Sequence, residues 1–189
     1  MGIAERKGRQ RAEREQRIAT AARRIAEQEG WSAVTIRRLA EEIEYSQPVI
    51  YAHFANKEAI VESVAVEGFR ELTSAFQEAA ARGASERSAL ENVAAAYLAF
   101  AFKHTALYEA MFTLPTGLRF AEAETRPELR AAGAALAAVV APFSAQVDIT
   151  METFWASLHG LAELERSGRI RRHAHAERVA LLVRWVLEG

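Results

Sequence analysis

Residues 30–57 read GWSAVTIRRLAEEIEYSQPVIYAHFANK, and this stretch decides the fold. Gly30 stops the helix before it, as a left-handed residue can. Thr35 stands where an N-cap belongs, ahead of Ile36, Leu39, Ala40 and Ile43 at i, i+3, i+4 and i+7. Only Glu44 and Tyr45 separate that apolar stripe from Ser46, a second N-cap, and Pro48 sits in the first turn after it, where a missing N–H costs nothing. Ile50 and Phe54, four apart, point to a core, and Asn56 caps a further helix from Lys57. A short helix, a turn of about three residues and a second short helix make the arithmetic of a helix-turn-helix.

On either side of this stretch the pattern is helical. The first helix is expected from Arg11 to Glu29, with Ile18, Ala22, Ile25 and Ala26 on one face. The helix after Asn56 should run to Arg82. Beyond Gly83 the candidate helices cover 86–103, 105–113, 126–141, 148–167 and 174–188. Of 189 residues 40 are Ala, the best helix former, against 14 Gly and Pro together. The fold class is therefore all-α: an N-terminal three-helix domain with the helix-turn-helix, residues 1–57, and a C-terminal helical bundle, residues 58–189.

The chain has no cysteine, which excludes disulfides and thiolate metal sites. With no apolar run after the N-terminus and no long apolar stretch, a cytoplasmic chain without membrane contact is expected. The formal charge of −1 argues against a nucleic-acid binder, but it is unevenly spread. Residues 1–57 hold 11 Lys/Arg and 8 Asp/Glu, a net of +3, and the rest nets −4. Such asymmetry points to an anionic partner at one end, or to a solvated tail. The arm Arg6, Lys7, Arg9, Arg11 is read as disordered until DNA orders it.

The second short helix carries the chemistry of base reading. Gln47 can pair with an adenine edge, and Pro48 and Val49 can touch a thymine methyl. Tyr51 and His53 can donate to phosphates, which fixes register. Lys57, Thr35 and Arg37, at helix N-termini, complete the phosphate set. The competing reading is an ordinary helical hairpin with a polar face.

At these residues the chain resembles the TetR family of bacterial transcriptional regulators. Gly30-Trp31, Thr35-Ile36, Leu39-Ala40, Ile50-Tyr51, His53-Phe54 and Asn56-Lys57-Glu58 follow that family's DNA-binding signature over residues of about 10 to 60. One departure stands out: the family usually places Gly in the turn, and here the residue is Glu44. If the backbone is left-handed there, Glu costs about 1 kcal/mol relative to Gly.

The resemblance implies a ligand-binding and dimerisation domain in the remainder. Trp155, His159 and Gly160, with the segment KHTALYEAMF, look like a subclass marked by a Trp-His-Gly motif. Trp155 and His159 share one helix face, and Gly160 would let another helix approach. They are either packing residues or the wall of an apolar cavity with Tyr97, Phe102, Tyr108, Met111 and Phe112 as neighbours, Phe100 nearby. The last two helices carry Ile149, Phe154, Leu158, Leu161 and Leu164, then Val179, Leu182, Val183, Trp185 and Val186. That density suggests one internal face and one across a two-fold axis.

His173 and His175, with Glu177, are read as a solvated loop start rather than a metal site. No nucleophile, paired-carboxylate or phosphate-loop motif stands out, so no enzyme, cofactor or metal is expected. The expected partners are a palindromic DNA operator, a second copy of the chain and a small hydrophobic ligand. The alternatives are a ligand-independent regulator or activator of the same fold, favoured by a filled C-terminal core, and a helical interaction module that binds no DNA.

Overall fold

Side chains that form helices meet caps that start them, and the boundaries follow. The computed structural model describes residues 2–120, 122 and 124–188, and of residues 3 and 172 only the backbone. Among these residues the regular structure is helical: α1 Ile3–Glu29, α2 Ile36–Ile43, α3 Gln47–Tyr51, α4 Lys57–Ala81, α5 Glu86–Lys103, α6 Thr105–Phe112, α7 Pro127–Val140, α8 Val147–Arg166 and α9 His175–Glu188, with short 3-10 turns at Trp31–Ala33, Ala141–Phe143 and Arg172–Ala174. No single helix among them is long and apolar enough to cross a membrane.

The chain clusters into two compact units. The first comprises Met1–Gly68 and His104–Arg119, so α6 and the first half of α4 belong with the helix-turn-helix. Its core is the apolar stripe of α1 (Ile18, Ala22, Ile25), with Val34, Leu39, Ile43, Ile50, Ile60, Leu107 and Tyr108. Helix α1 packs on α2 and α6. At Gly68 in α4, an added Cβ would come within 2.5 Å of the Met111 sulfur and 2.9 Å of Leu107. Any larger residue at position 68 would require the Met111 and Leu107 side chains to shift, a constraint absent from any local sequence signal.

The second unit comprises Phe69–Lys103 and Phe120–Gly189. Helix α5 packs against α7, α8 and α9 around Leu90, Val93, Leu98, Leu136, Phe154, Leu158 and Val183. At the α4–α5 turn an added Cβ on Gly83 would meet the Ala89 backbone nitrogen at 2.6 Å, so no other residue fits there.

Three local expectations are corrected. The basic arm is not disordered: α1 begins at Ile3, eight residues before the expected start. Apart from Gly8, residues 4–17 are Ala, Arg, Lys, Glu and Gln, all good helix formers. The Glu5 carboxylate accepts from the Gly2 N–H at 2.8 Å, and Arg11 pairs with Glu15 at 2.8 Å one turn on. Charge suggested a tail where propensity dictates a helix. Gly30 does end α1, but at φ 81°, ψ 163°, an extended positive-φ conformation that glycine alone tolerates, rather than a left-handed helical one. Among the described residues no helix lies close over Gly160, since a Cβ there would meet nothing within 4 Å.

Candidate nucleic-acid interface

Side-chain caps start α2 and α4, the helices on either side of α3. The Thr35 hydroxyl accepts from the Arg38 N–H at 3.1 Å and starts α2, and the Asn56 carboxamide accepts from the Ala59 N–H at 2.9 Å and starts α4. Ser46 holds the N-cap position of α3 with extended backbone but without a side-chain cap bond, and Pro48 lies in the first turn. Between α2 and α3, Glu44 is left-handed at φ 56°, ψ 40°. It is the one non-glycine positive-φ residue among those described.

That strained turn is braced from α1. Arg17 donates to the Ile43 carbonyl at 3.3 Å, satisfying a C-terminal orphan of α2, and its guanidinium lies 5.2 Å from the Tyr45 ring centroid. Both contacts cross more than 25 residues and were invisible in the linear pattern.

Burial sorts the candidate DNA-contacting residues. Ile50 and Phe54 are buried, as expected of the packing face. Gln47, Pro48 and Tyr51 are exposed on α3, Tyr51 at 53 %, and Val49 is half-exposed between them. Thr35 and Arg37 are exposed at the start of α2, with Arg37 3.6 Å from Glu41. Lys57 is half-buried and donates to the Trp31 carbonyl at 2.5 Å. His53 does not join this outer face. Its side chain is 8 % exposed, and Nδ1 lies 3.4 Å from the Glu15 carboxylate on α1. Two residues past α3, the backbone has turned the imidazole inward to complete a contact that only the folded α1 supplies.

Of the seven candidate ligand-lining residues, Tyr97, Phe102, Trp155 and His159 lie in the second unit and Tyr108, Met111 and Phe112 in the first. In the second unit Tyr97, Trp155 and His159 meet: the Trp155 indole N–H donates to the Tyr97 hydroxyl at 3.2 Å, and that hydroxyl lies 3.4 Å from His159 Nδ1. Phe76 stacks on Tyr97 and Phe120 on Trp155, both at 6.2 Å between centroids. Tyr97 is fully buried, whereas Trp155 and His159 are partly exposed. Burial pushes the His159 pKa below its usual value, and nearby Arg166 adds to the effect while Glu163 opposes it. Phe102 is instead 38 % exposed and packs edge-on against His175. Tyr108, Met111 and Phe112 belong to the first unit. There Tyr108 and Phe112 pack at 4.8 Å and Met111 fills the space over Gly68.

A buried polar cluster escaped the sequence reading. Glu165, 3 % exposed on α8, accepts from Arg178 at 2.5 Å and lies 2.8 Å from His175 Nδ1, both on α9. Burial pushes its pKa up, but Arg178 and His175 outweigh this and hold the carboxyl below its usual value. His175 is thus engaged by Glu165 rather than merely solvated at a loop start. Three residues from two helices, up to 13 positions apart, leave no local spacing signal.

Comparison with known proteins fits this geometry. The family model described as bacterial regulatory proteins, tetR family, matches residues 18–64, and one described as tetracyclin repressor-like, C-terminal domain, matches residues 90–188. No curated protein sequence matches the chain significantly. Among solved structures, a protein with unknown function from Rhodococcus sp. RHA1 superposes with a TM-score of 0.76 at 22% identity over 93% of this chain and 94% of its own. The TetR family transcriptional regulator PfmR from Thermus thermophilus gives 0.61 at 19% identity over 91% and 97%. RolR in complex with resorcinol gives 0.63 at 14% over 95% and 88%. At such identities the likeness is one of fold, while the two matched models span both halves of the sequence: the chain belongs to the TetR family of bacterial regulatory proteins.

Proposed function

We propose that the protein is a homodimeric transcriptional repressor that binds a palindromic operator and is released from it by a small hydrophobic ligand. Residues 1–57 read the DNA, and residues 58–189 sense and dimerise. The observation that carries the DNA reading is the outer surface of α3, where Gln47, Pro48 and Tyr51 stand exposed beside Thr35 and Arg37 at the start of α2. Gln47 is suited to an adenine edge, Pro48 and the half-exposed Val49 to a thymine methyl, and Tyr51, Thr35, Arg37 and Lys57 to phosphates. His53 acts here through Glu15, as a positioning residue.

Exposed apolar side chains on the last two helices support the dimer. Phe154, Leu158, Leu182, Val183 and Val186 are buried within the chain, yet Ile149, Leu164, Leu181 and Trp185 on the same helices are exposed, Ile149 and Trp185 at 62 %. Ile149 and Gly160, eleven positions apart on α8, fall on one stripe, and the open space over Gly160 suits the helix of a second copy.

The Tyr97–Trp155–His159 cluster supports a ligand site in the second unit. It sets hydrogen-bonding groups among aromatic rings, the chemistry that binds a small amphipathic molecule. The RolR neighbour holds resorcinol, a ligand of that character. A ligand releases DNA only in so far as it binds the released conformation more tightly.

A mobility-shift assay tests the reading. The duplex is recovered from a randomised pool by the protein itself. Tyr51→Ala and Lys57→Ala should each weaken binding, and Lys57→Ala should lower the salt slope by about one. Unchanged affinity in both variants would sink the DNA reading. For the ligand, a panel of small phenols including resorcinol should release the wild type at lower concentration than Tyr97→Phe.

A further inference from the structure

We infer that Arg17 is a positioning residue for operator discrimination: from α1 it clamps the chain on both sides of the left-handed Glu44, and so sets where the N-terminal end of α3 presents Gln47 and Pro48. The inference rests on the DNA-binding reading above and adds to it a residue that acts without touching DNA.

The two ends of α3 are held unequally. Toward its C-terminal end Ile50 and Phe54 are buried, and His53 lies against Glu15 of α1. At its N-terminal end Ser46, Gln47 and Pro48 are exposed, Val49 is half-exposed, and the Ser46 side chain makes no cap bond. A five-residue helix is too short to fix its own direction. The turn from Ile43 to Tyr45 therefore decides where Gln47 stands.

That turn depends on one backbone conformation. Glu44 is left-handed at φ 56°, ψ 40°, a region that is costly for a residue with a Cβ. A return to a φ of about −63° would continue α2 through the turn and carry α3 elsewhere. The Ala40 carbonyl accepts from the N–H groups of Glu44 and Tyr45, the pattern of a helix end that glycine usually completes. Arg17 compensates for the missing glycine. Its Nη2 donates to the Ile43 carbonyl at 3.3 Å, and its guanidinium lies 5.2 Å from the Tyr45 ring centroid. The first contact holds the peptide unit on the φ side of Glu44, and the second holds the residue on the ψ side. Rotation of Glu44 about either bond breaks one of them. The guanidinium is thus used within the chain, an N–H on a carbonyl and the cation on an aromatic ring.

The test measures affinity for two duplexes of equal length, the pool-selected one and a scrambled one, and takes their ratio. A misplaced α3 loses base contacts but keeps the attraction of the phosphates. The ratio then falls while affinity for the scrambled duplex stays within about twofold. The penalty of a left-handed residue with a side chain corresponds to a factor of about ten in population, so Arg17→Ala should lower the ratio about tenfold per half-site. Tyr45→Leu, which removes the ring and no charge, should lower it in the same direction. In the Glu44→Gly background the backbone takes the left-handed region freely, and there Arg17→Ala should cost less than about threefold. Equal losses in both backgrounds would overturn the inference, since Arg17 would then act apart from the turn. So would an unchanged ratio in Arg17→Ala. A parallel fall on both duplexes, with a salt slope lower by about 0.9, would mark a lost phosphate contact and overturn it too. Affinities are compared at a temperature where unfolding curves show every variant folded; Arg17 is exposed, so its removal empties no core. A wild type that binds no duplex, or both equally, fails the DNA reading itself. That result is distinct from a wild type that discriminates and an Arg17→Ala variant that discriminates as well.

Discussion

The indole N–H of Trp31 donates to the backbone carbonyl of Ala106 at 2.8 Å, tying the 3-10 turn after α1 to the first turn of α6, 75 residues away. On α1, Glu27 completes the link: its carboxylate accepts the otherwise orphaned N–H groups of Ala106 and Leu107 at 3.3 and 3.2 Å. Helix α6 is thereby a structural part of the first unit. Trp31→Phe keeps much of the ring's bulk and removes the indole donor, while the Ala106 carbonyl keeps its partner in the α6 ladder. It should cost about 0.5–1.5 kcal/mol in denaturant unfolding. A change near zero would mean the bond contributes nothing net.

Glu44 stands at a backbone conformation that glycine adopts freely. Glu44→Gly should raise the unfolding free energy by about 1 kcal/mol, reduced by the entropy glycine adds to the unfolded chain. Arg17→Ala should move it the other way, by removing the donor to Ile43 and the cation from Tyr45. A Glu44→Gly variant less stable than the wild type would show that the strain relieved is smaller than the entropy glycine adds to the unfolded chain.

His159 predicts an acid-side loss of stability. Burial holds its folded pKa below the ordinary 6.5, so the folded protein keeps the ring neutral where the unfolded chain takes up a proton. Stability is then full above about pH 6.5, falls as pH drops below that value, and levels off once the folded ring also protonates. His159→Gln should flatten this segment of the stability–pH curve, measured by urea unfolding at stepped pH.

Glu165 titrates in the opposite sense. Its folded pKa is depressed, so its contribution is present above the ordinary carboxylate value of 4.5 and is lost as pH falls through the lower folded value. Glu165→Ala leaves the half-buried Arg178 without its carboxylate, and should destabilise by about 1–3 kcal/mol. The loss should be largest near neutral pH and shrink in acid.

The helix-turn-helix was legible because its signals are local. Thr35 and Asn56 cap within three residues, Pro48 marks a first turn, and the α2 stripe needs only eight positions. The same reading put the start of α1 too late, because it weighed the charge of Arg6, Lys7 and Arg9 and neglected their helix propensity. It turned His53 outward because the partner that draws it in, Glu15, lies 38 residues earlier on another helix. In the ligand set, periodicity showed that Tyr97, Tyr108 and Met111 are buried but not against what. Tyr97 meets Trp155 and His159, while Met111 meets Gly68. The Glu165 cluster had no linear trace at all, since a lone Glu near a helix end usually reads as solvated.

Because Lys7, Arg11 and Arg14 fall on the same helical stripe of α1 as the buried Ile18, Ala22 and Ile25, the residues joining the two sections act as a phase shifter. One alanine inserted after Ala12 moves Lys7 and Arg11 only about 1.5 Å along the axis but swings them about 100° around it. Four inserted alanines bring them back to within about 40°. Tolerance to insertions there should be periodic: length matters little, and the remainder after whole turns decides which way the basic side chains face.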